Sequence, residues 1–415
     1  MFPLSKACRF IAAVVFFVAL APSASALSTP AEGAAGAVRI EVGPILTLAE
    51  EPTGHLAVGK GRGGDLLVAW STPPGGDENQ IRALRLAAAG RPMGPPFVVY
   101  SRLVDDNPVG LPDEIPDIGW NLKITPGVGY GFLVAWDDGL PGGLVARRVR
   151  GRENEIVEGY QIDSESFWPA AVSLAQGRFL LVYEQYSGSL LARRFDPEGL
   201  PLGDEIVLAA QGLAPAVVRD AAENILVASL TQDPHNASRF HLWARRFTAD
   251  GSPLGKRRLL AGPLTTQIWG VRGASGTGGV SAFTWDHAGR VNLQLIAPDG
   301  SFRTVEVGQT PELPYHDVAV DAAGRALVVW ADCCVAGERV HARLWAPDGT
   351  PLGPEILISP PLRDSPSVIG LPRLPAVAAR DRGDFFVAWI GENGPDSPRP
   401  GEPAIFGVRV LAQDP

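Results

Sequence analysis

One short phrase recurs seven times along the chain: a pair of hydrophobic residues followed by Val-Ala-Trp or a close variant. The copies occupy residues 65–70, 131–136, 178–184, 224–229, 280–285, 325–330 and 384–389. Their ends lie 66, 48, 45, 56, 45 and 59 residues apart. A constant phrase at variable spacing indicates one structural unit that is repeated and joined by loops of different length.

Each copy has neighbours in a fixed order. A short apolar strand such as 316–320 precedes it, and a strand of alternating character such as 190–195 (LLARRF) follows. Next comes a glycine turn such as 348–353 (DGTPLG) and a last short strand such as 355–358. Glycine supplies the positive φ that such turns need, and aspartate caps them. Four antiparallel strands in sequence form a propeller blade, so the chain is predicted to be an all-β, seven-bladed β-propeller.

The repeat also decides the domain count. A length of 415 residues alone would suggest two to four domains, but we expect a single propeller over 38–415. A β-sandwich would not repeat seven times, and a solenoid would show a shorter period. The seventh unit reaches its third strand at 405–411, and 38–48 reads as a lone fourth strand. We expect these two segments to pair and close the ring, which removes two exposed sheet edges.

The repeat resembles the "VAW…ARRFDxDGxPLG" units of large secreted bacterial surface and calcium-associated proteins, over most of 38–415. Its Asp-Gly turn also resembles the Asp-box of sialidase-type propellers. The full Ser-x-Asp-x-Gly-x-Thr-Trp form is absent, so no sialidase chemistry is implied.

The first 26 residues have the pattern of a signal peptide: Lys6 and Arg9, then an apolar run over 10–21, then Ala24-Ser25-Ala26. An uncleaved anchor is the alternative, although the run is short for a membrane span. Residues 27–37 are expected to be a linker. Cleavage would leave 34 basic and 45 acidic residues, a net charge of −11, which argues against a nucleic-acid or anionic-membrane partner. We expect a secreted or periplasmic monomer with no membrane span after cleavage.

An acid follows the core strand in most units. The set is Asp137, Asp138, Glu184, Asp233, Asp286, Asp332 and Glu392. These side chains could converge on one mouth of the propeller and bind Ca²⁺, which takes six to eight oxygen ligands. Solvated loop acids are the alternative.

Aromatic and histidine side chains are expected at the same mouth. They are Trp120, Trp168, Trp269, Tyr315 and His316. Aromatic rings beside carboxylates suit a carbohydrate site, although rings also pack loops. The repeated tryptophans, by contrast, are expected to pack between blades, and the repeated arginine pairs to stack on them and pair with turn aspartates.

The mature chain has two cysteines, Cys333 and Cys334. Adjacent Cα atoms lie about 3.8 Å apart, below the usual disulfide range, so a bridge between them would be strained. Reduced thiols or a soft-metal site are the alternatives.

No zinc, phosphate-loop, dinucleotide or GxSxG motif occurs in the sequence. The sequence therefore favours a non-enzymatic propeller that binds a glycan or a protein. The alternative is a glycan-acting hydrolase or lyase that uses carboxylates at the propeller mouth.

Overall fold

The computed structural model describes residues 38–51, 54–72, 78–103, 120–127, 129–138, 143–162, 165–220, 222–265, 270–309, 315–332, 339–360, 374–393, 397 and 399–414, with backbone only at 120, 158 and 159. The predicted signal peptide, linker, Trp269, Cys333 and Cys334 lie outside these residues. No helix in the described part is long and apolar enough to cross a bilayer.

The described residues form seven four-stranded antiparallel blades, as the repeat predicts. Two strands precede the first blade: β1 (Arg39–Val42) and β2 (Leu46–Ala49). Blade 1 contains β3 (Leu56–Lys60), β4 (Leu66–Ser71), β5 (Glu78–Leu86) and β6 (Phe97–Leu103). Blade 2 contains β7 (Trp120–Pro126), β8 (Phe132–Asp137), β9 (Leu144–Arg150) and β10 (Glu155–Gln161). Blade 3 contains β11 (Ser166–Ser173), a 3₁₀ turn (Ala175–Gly177), β12 (Phe179–Gln185), β13 (Leu190–Phe195) and β14 (Ile206–Ala209).

The remaining blades follow the same plan. Blade 4 contains β15 (Leu213–Arg219), β16 (Ile225–Asp233), β17 (Asn236–Phe247) and β18 (Pro253–Leu264). Blade 5 contains β19 (Val271–Ser275), β20 (Ser281–His287), β21 (Arg290–Ile296) and β22 (Phe302–Gln309). Blade 6 contains β23 (Tyr315–Val320), β24 (Ala326–Ala331), β25 (Val340–Trp345) and β26 (Ile356–Leu357). Blade 7 contains β27 (Ala376–Asp381), β28 (Asp384–Glu392) and β29 (Pro403–Gln413).

The ring closes as predicted, by pairing of the first strands with the last blade. β1 runs antiparallel to β29 from the pair Arg39 and Gln413 to the pair Val42 and Val410. β2 continues along the same strand, with Leu46 opposite Gly407. The predicted single strand is therefore two short ones, because the chain departs from regular pairing between them. The Gly43 N–H still donates to the Arg409 carbonyl, at 2.9 Å.

The hydrophobic core consists of seven clusters, one at each boundary between adjacent blades. Side chains along a strand point alternately to its two faces, so each core strand packs on both neighbouring blades. Leu66, Val68 and Trp70 pack against blade 7, whereas Leu67 and Ala69 pack against blade 2. This is why the repeated phrase is hydrophobic at most positions on both faces of the strand.

The repeated tryptophans pack between blades, as predicted: Trp70, Trp136, Trp285, Trp330 and Trp389 are at most 2% exposed. The prediction that the arginine pairs stack on these tryptophans is wrong for the described contacts, in which Arg147, Arg193 and Arg245 each stack on a tyrosine or phenylalanine ring. Arg193, for example, lies 4.8 Å from the centre of the Tyr160 ring.

Candidate functional site

In each blade the first strand is the innermost one, and the second strand, which carries the repeated phrase, is the core strand. The seven innermost strands surround a central channel with a volume of about 930 Å³. Its size falls within the usual range for small-molecule sites. The core strand finishes at the same end of the blade at which the innermost strand begins. We call this end the upper end. The channel runs from residues at this end, such as His55 and Tyr315, to the opposite end at Arg62 and Asp381.

Bulges shape the upper end of the channel in three consecutive blades. The pairing of innermost and core strands shifts in register near Asn121 in blade 2, Trp168 in blade 3 and Ala214 in blade 4. Each of these residues has a positive φ, of 53°, 55° and 47° respectively. Such bulges turn side chains to new directions and are common at barrel rims and beside active sites. We refer to Asn121, Trp168 and Ala214 as the bulged rim.

The rim is costly to maintain. A bulky residue such as Trp168 is rarely left-handed, and each such residue costs on the order of 1–3 kcal/mol. The Nδ2 atom of Asn121 is also buried without a hydrogen-bond partner in the described part of the chain. Strain and an unsatisfied donor together at a channel mouth are features that a bound ligand would compensate.

Aromatic rings lie on two sides of the mouth. Trp168 and Tyr315 both line the channel and are half-buried. They belong to blades 3 and 6, so they approach the channel from opposite sides of a ring of seven. His316 lines the channel beside Tyr315, and its Nδ1 lies 3.0 Å from the Thr284 hydroxyl.

A ring of seven positions lies deeper in the channel. Each is the residue of an innermost strand that pairs with the core-strand residue just before the repeated tryptophan, whose place is taken by Tyr183 in blade 3 and Ser229 in blade 4. We call them the central ring: Ala57, Lys123, Ala170, Ala216, Arg272, Asp317 and Ala376. All seven line the channel. Four are alanines and three are charged.

The charged groups of the central ring influence one another. Burial, together with the charge of Arg272, lowers the pKa of Lys123 to about 7, while the charge of Asp317 acts in the opposite direction. Burial also lowers the pKa of Arg272, against the effect of Asp317 and Asp286. The Oδ2 atom of Asp317 accepts the Val377 N–H at 2.9 Å.

The predicted acids do not line this channel. None of the seven is among its lining residues. Asp138 is buried between blades 1 and 2, where it accepts hydrogen bonds from Trp136 Nε1 at 3.1 Å and Tyr100 at 3.3 Å. Burial is the main cause that raises its pKa.

Glu184 and Asp286 face the next blade. Glu184 is 8% exposed, and its Oε2 accepts the Ala214 N–H at 2.9 Å. Burial raises the Glu184 pKa to about 7, while that hydrogen bond acts in the opposite direction. Asp286 is buried with its Oδ1 3.8 Å from His316 Nε2. By accepting the Ala214 N–H, the Glu184 carboxylate holds one of the three bulged-rim residues in place.

The other predicted acids occupy separate places. Asp233 accepts the His235 N–H within a turn, and Asp332 Oδ2 lies 2.8 Å from His341 Nε2. Asp137 and Glu392 end their strands and are half-buried. Among the described residues, no group of three His, Cys, Asp or Glu side chains could hold a metal ion. The predicted Ca²⁺ site therefore has no candidate there.

Of the predicted aromatic and histidine residues, Trp168, Tyr315 and His316 reach the channel. Trp120 begins β7 opposite Asp137, and only its backbone is described. The central ring was missed by sequence reasoning. Its signal is visible only when the innermost strands are aligned, because Lys123, Arg272 and Asp317 then replace alanine.

No protein-family profile and no curated protein matches this chain. Solved structures match its fold. A polysaccharide lyase described as an ulvan lyase superposes with a TM-score of 0.57 at 11% identity, over 86% of this chain and 94% of the lyase. A protein of unknown function from Dyadobacter fermentans gives 0.50 at 12% identity, over 90% of this chain and 99% of its own. At these identities the similarity is one of fold alone.

Proposed function

We propose that this protein is an exported, non-enzymatic binding propeller that holds a saccharide at the upper mouth of its central channel. The observation that carries the proposal is Trp168, a bulky aromatic residue kept in a strained left-handed conformation at that mouth. Trp168 also packs against the hydrophobic cluster between blades 4 and 5, and Tyr315 lines the channel on the opposite side. Aromatic side chains combine a large apolar face with little conformational freedom, which suits them to stack on the flat face of a sugar ring.

Polar groups for sugar hydroxyls lie within the same mouth. The Asn121 amide carries a buried donor without a protein acceptor in the described residues. A small set of placed polar groups within a largely preformed cavity is typical of ligand sites. The ulvan lyase mentioned above is bound to a -[GlcA(1-4)Rha3S]- unit, but its similarity to this chain extends to the fold only.

The carboxylates along the channel favour binding over hydrolysis. Glycoside hydrolysis generally needs two carboxyl groups in different environments. Each of the four carboxylates among the described residues of the channel lining accepts a hydrogen bond from this chain: Glu223 from Arg219, Asp317 from Val377 of the next blade, Asp321 from Arg325 and Asp381 from Arg382. We therefore place the hydrolase or lyase alternative second.

A glycan array tests the proposal, with the mature protein, Trp168→Ala and Trp243→Ala. Trp243 is the matched control, because it is half-buried on the third strand of blade 4, where it stacks on Arg257. We expect the parent to bind one class of glycan, Trp168→Ala to lose about tenfold or more in affinity, and Trp243→Ala to bind as the parent does.

Two results would contradict the proposal. Binding of no glycan, or equal binding by Trp168→Ala, would remove the mouth as a saccharide site and leave a protein ligand as the better account. Cleavage of a bound glycan, followed by thin-layer chromatography, would instead make the protein an enzyme.

A further inference from the structure

The central ring carries two basic side chains and one acidic one. All seven of its positions are described, and they carry Lys123, Arg272 and Asp317 beside four alanines. The carboxylate at this level, Asp317, raises the pKa of both cations through its charge, and it accepts the Val377 N–H. The strands on either side of β7, which are β3 and β11, present only Ala57 and Ala170 at this level.

The structure leaves room for the Arg272 guanidinium beside the start of β19, where its Nη1 donates to the Val271 carbonyl at 3.4 Å. A Cβ atom at Gly270 would meet Arg272 Nη1 at 2.7 Å, so the glycine leaves the space that the guanidinium occupies. Ala57, Ala170, Ala216 and Ala376 leave the rest of this level open. Buried cations that are not fully paired are costly, and an anion between them reduces that cost.

We propose that Lys123 and Arg272 form an anion site inside the channel, which binds the carboxylate or sulfate group of an acidic saccharide whose ring lies at the mouth. This inference rests on the proposed function and assigns the charge of its ligand. Guanidinium presents its donors in a planar fork that matches the oxygens of such groups. Lys123 adds a point charge from across the channel.

Proton uptake is an expected consequence. The Lys123 pKa of about 7 means that the amine is largely neutral above this pH in the free protein. An anion beside it favours the ammonium, so binding raises its pKa and takes up a proton. Affinity should then be highest below pH 7 and decrease as pH rises through 7. The other charged groups nearby are Arg272 and Asp317, with Asp286 and His316 beyond Arg272.

The test is calorimetric titration of the mature protein with sodium sulfate, sodium D-galacturonate and the uncharged methyl ester of D-galacturonate. We expect sulfate and galacturonate to bind, and the methyl ester to bind at least tenfold more weakly. At pH 7.5 the binding heat should vary with the ionisation enthalpy of the buffer, which reports the proton taken up.

Variants assign the effect to the central ring. Lys123→Met and Arg272→Met should each weaken anion binding tenfold or more. Lys123→Arg should keep the binding but abolish proton uptake, because arginine remains charged. Lys60→Met is the control, because Lys60 lines the same channel near its opposite end.

Failure of this inference is separable from failure of the proposed function. If neither anion binds, if the methyl ester binds equally well, or if Lys123→Met and Arg272→Met bind as the parent does, the anion site is wrong, whatever the glycan array shows. If the anions bind but no glycan on the array does, the anion site stands and the saccharide proposal is wrong.

Discussion

Replacement of Glu184 by glutamine should stabilise the protein at alkaline pH and leave it nearly unchanged at acidic pH. Glu184 has an ordinary pKa of 4.5, which burial in the folded protein raises to about 7. Between these values the folded state keeps a proton that the unfolded chain releases. The free energy of unfolding therefore decreases as pH rises from 4.5 to 7 and levels off above 7.

The size of the effect follows from the shift. Each pKa unit corresponds to about 1.4 kcal/mol, so a shift from 4.5 to about 7 costs the parent about 3 kcal/mol above pH 7. Glutamine is uncharged at every pH, and its amide oxygen can still accept the Ala214 N–H. Glu184→Gln should thus gain up to about 3 kcal/mol over the parent at pH 8.5 and close to nothing at pH 4.5.

Denaturant unfolding at pH 4.5 and 8.5 measures this difference. Subtracting parent from variant at each pH removes the titration of all other groups. Glu198→Gln is the control, because Glu198 is exposed in a turn of blade 3, and its difference should not change with pH. An equal difference at both pH values for Glu184→Gln, or a loss of stability at pH 8.5, would refute the account of Glu184 as a buried acid.

Three further predictions concern the frame of the propeller and its cysteines. Arg85 is 2% exposed and donates hydrogen bonds to Asp65, the Tyr130 and Gly151 carbonyls and Asn154 across blades 1 and 2. Arg85→Ala should therefore lower the free energy of unfolding by about 3–5 kcal/mol, measured with denaturant. Arg150→Ala is the control, because Arg150 forms an exposed ion pair, and it should lower the same free energy by less than about 1 kcal/mol. Deleting 27–49 removes β1 and β2 and bares the edge of β29, so the melting temperature should drop and aggregation increase; a variant that melts like the mature protein would contradict ring closure as a source of stability. If the two adjacent cysteines form a bridge, intact mass should be two hydrogens lower and alkylation under denaturing conditions should add nothing before reduction, whereas two alkylations would show free thiols.

The architecture could be predicted from the sequence because the same packing of a core strand between two blades occurs seven times. Every core strand is packed on both faces between two blades, so each copy is hydrophobic at most positions and the phrase can be recognised in all seven. The closure of blade 7 was also visible, since a unit with three strands leaves an edge that must be paired. The break between β1 and β2 was not, because it depends on the local path of the chain at Gly43.

The acids were placed at the correct end of the blades but on the wrong side of the strand. Tyr183 and Trp285 face the preceding blade, and side chains alternate along a strand. The next residue must therefore face the following blade. Glu184 does so by accepting the Ala214 N–H of blade 4, and Asp286 by approaching His316 of blade 6. Alternation alone, applied to the residue after each tryptophan, would have directed these acids into the blade boundaries and away from the channel.

The same alternation explains why the central ring can carry ligand chemistry without weakening the core. In each blade the central-ring position lies near the channel, at the inner edge of the boundary with the following blade. An alanine side chain at this position is long enough to contact that blade. Ala57 and Ala170 end within those clusters, whereas Lys123 and Arg272 belong to no such cluster and line the channel half-buried. A charged residue at this level therefore replaces a single methyl contact and leaves the large buried side chains of the blade boundaries in place. Positions on the core strands lack this freedom, since both faces of those strands pack against neighbouring blades. In a ring of near-identical blades, differences in ligand preference are then expected to accumulate at these seven positions and at the bulged rim above them.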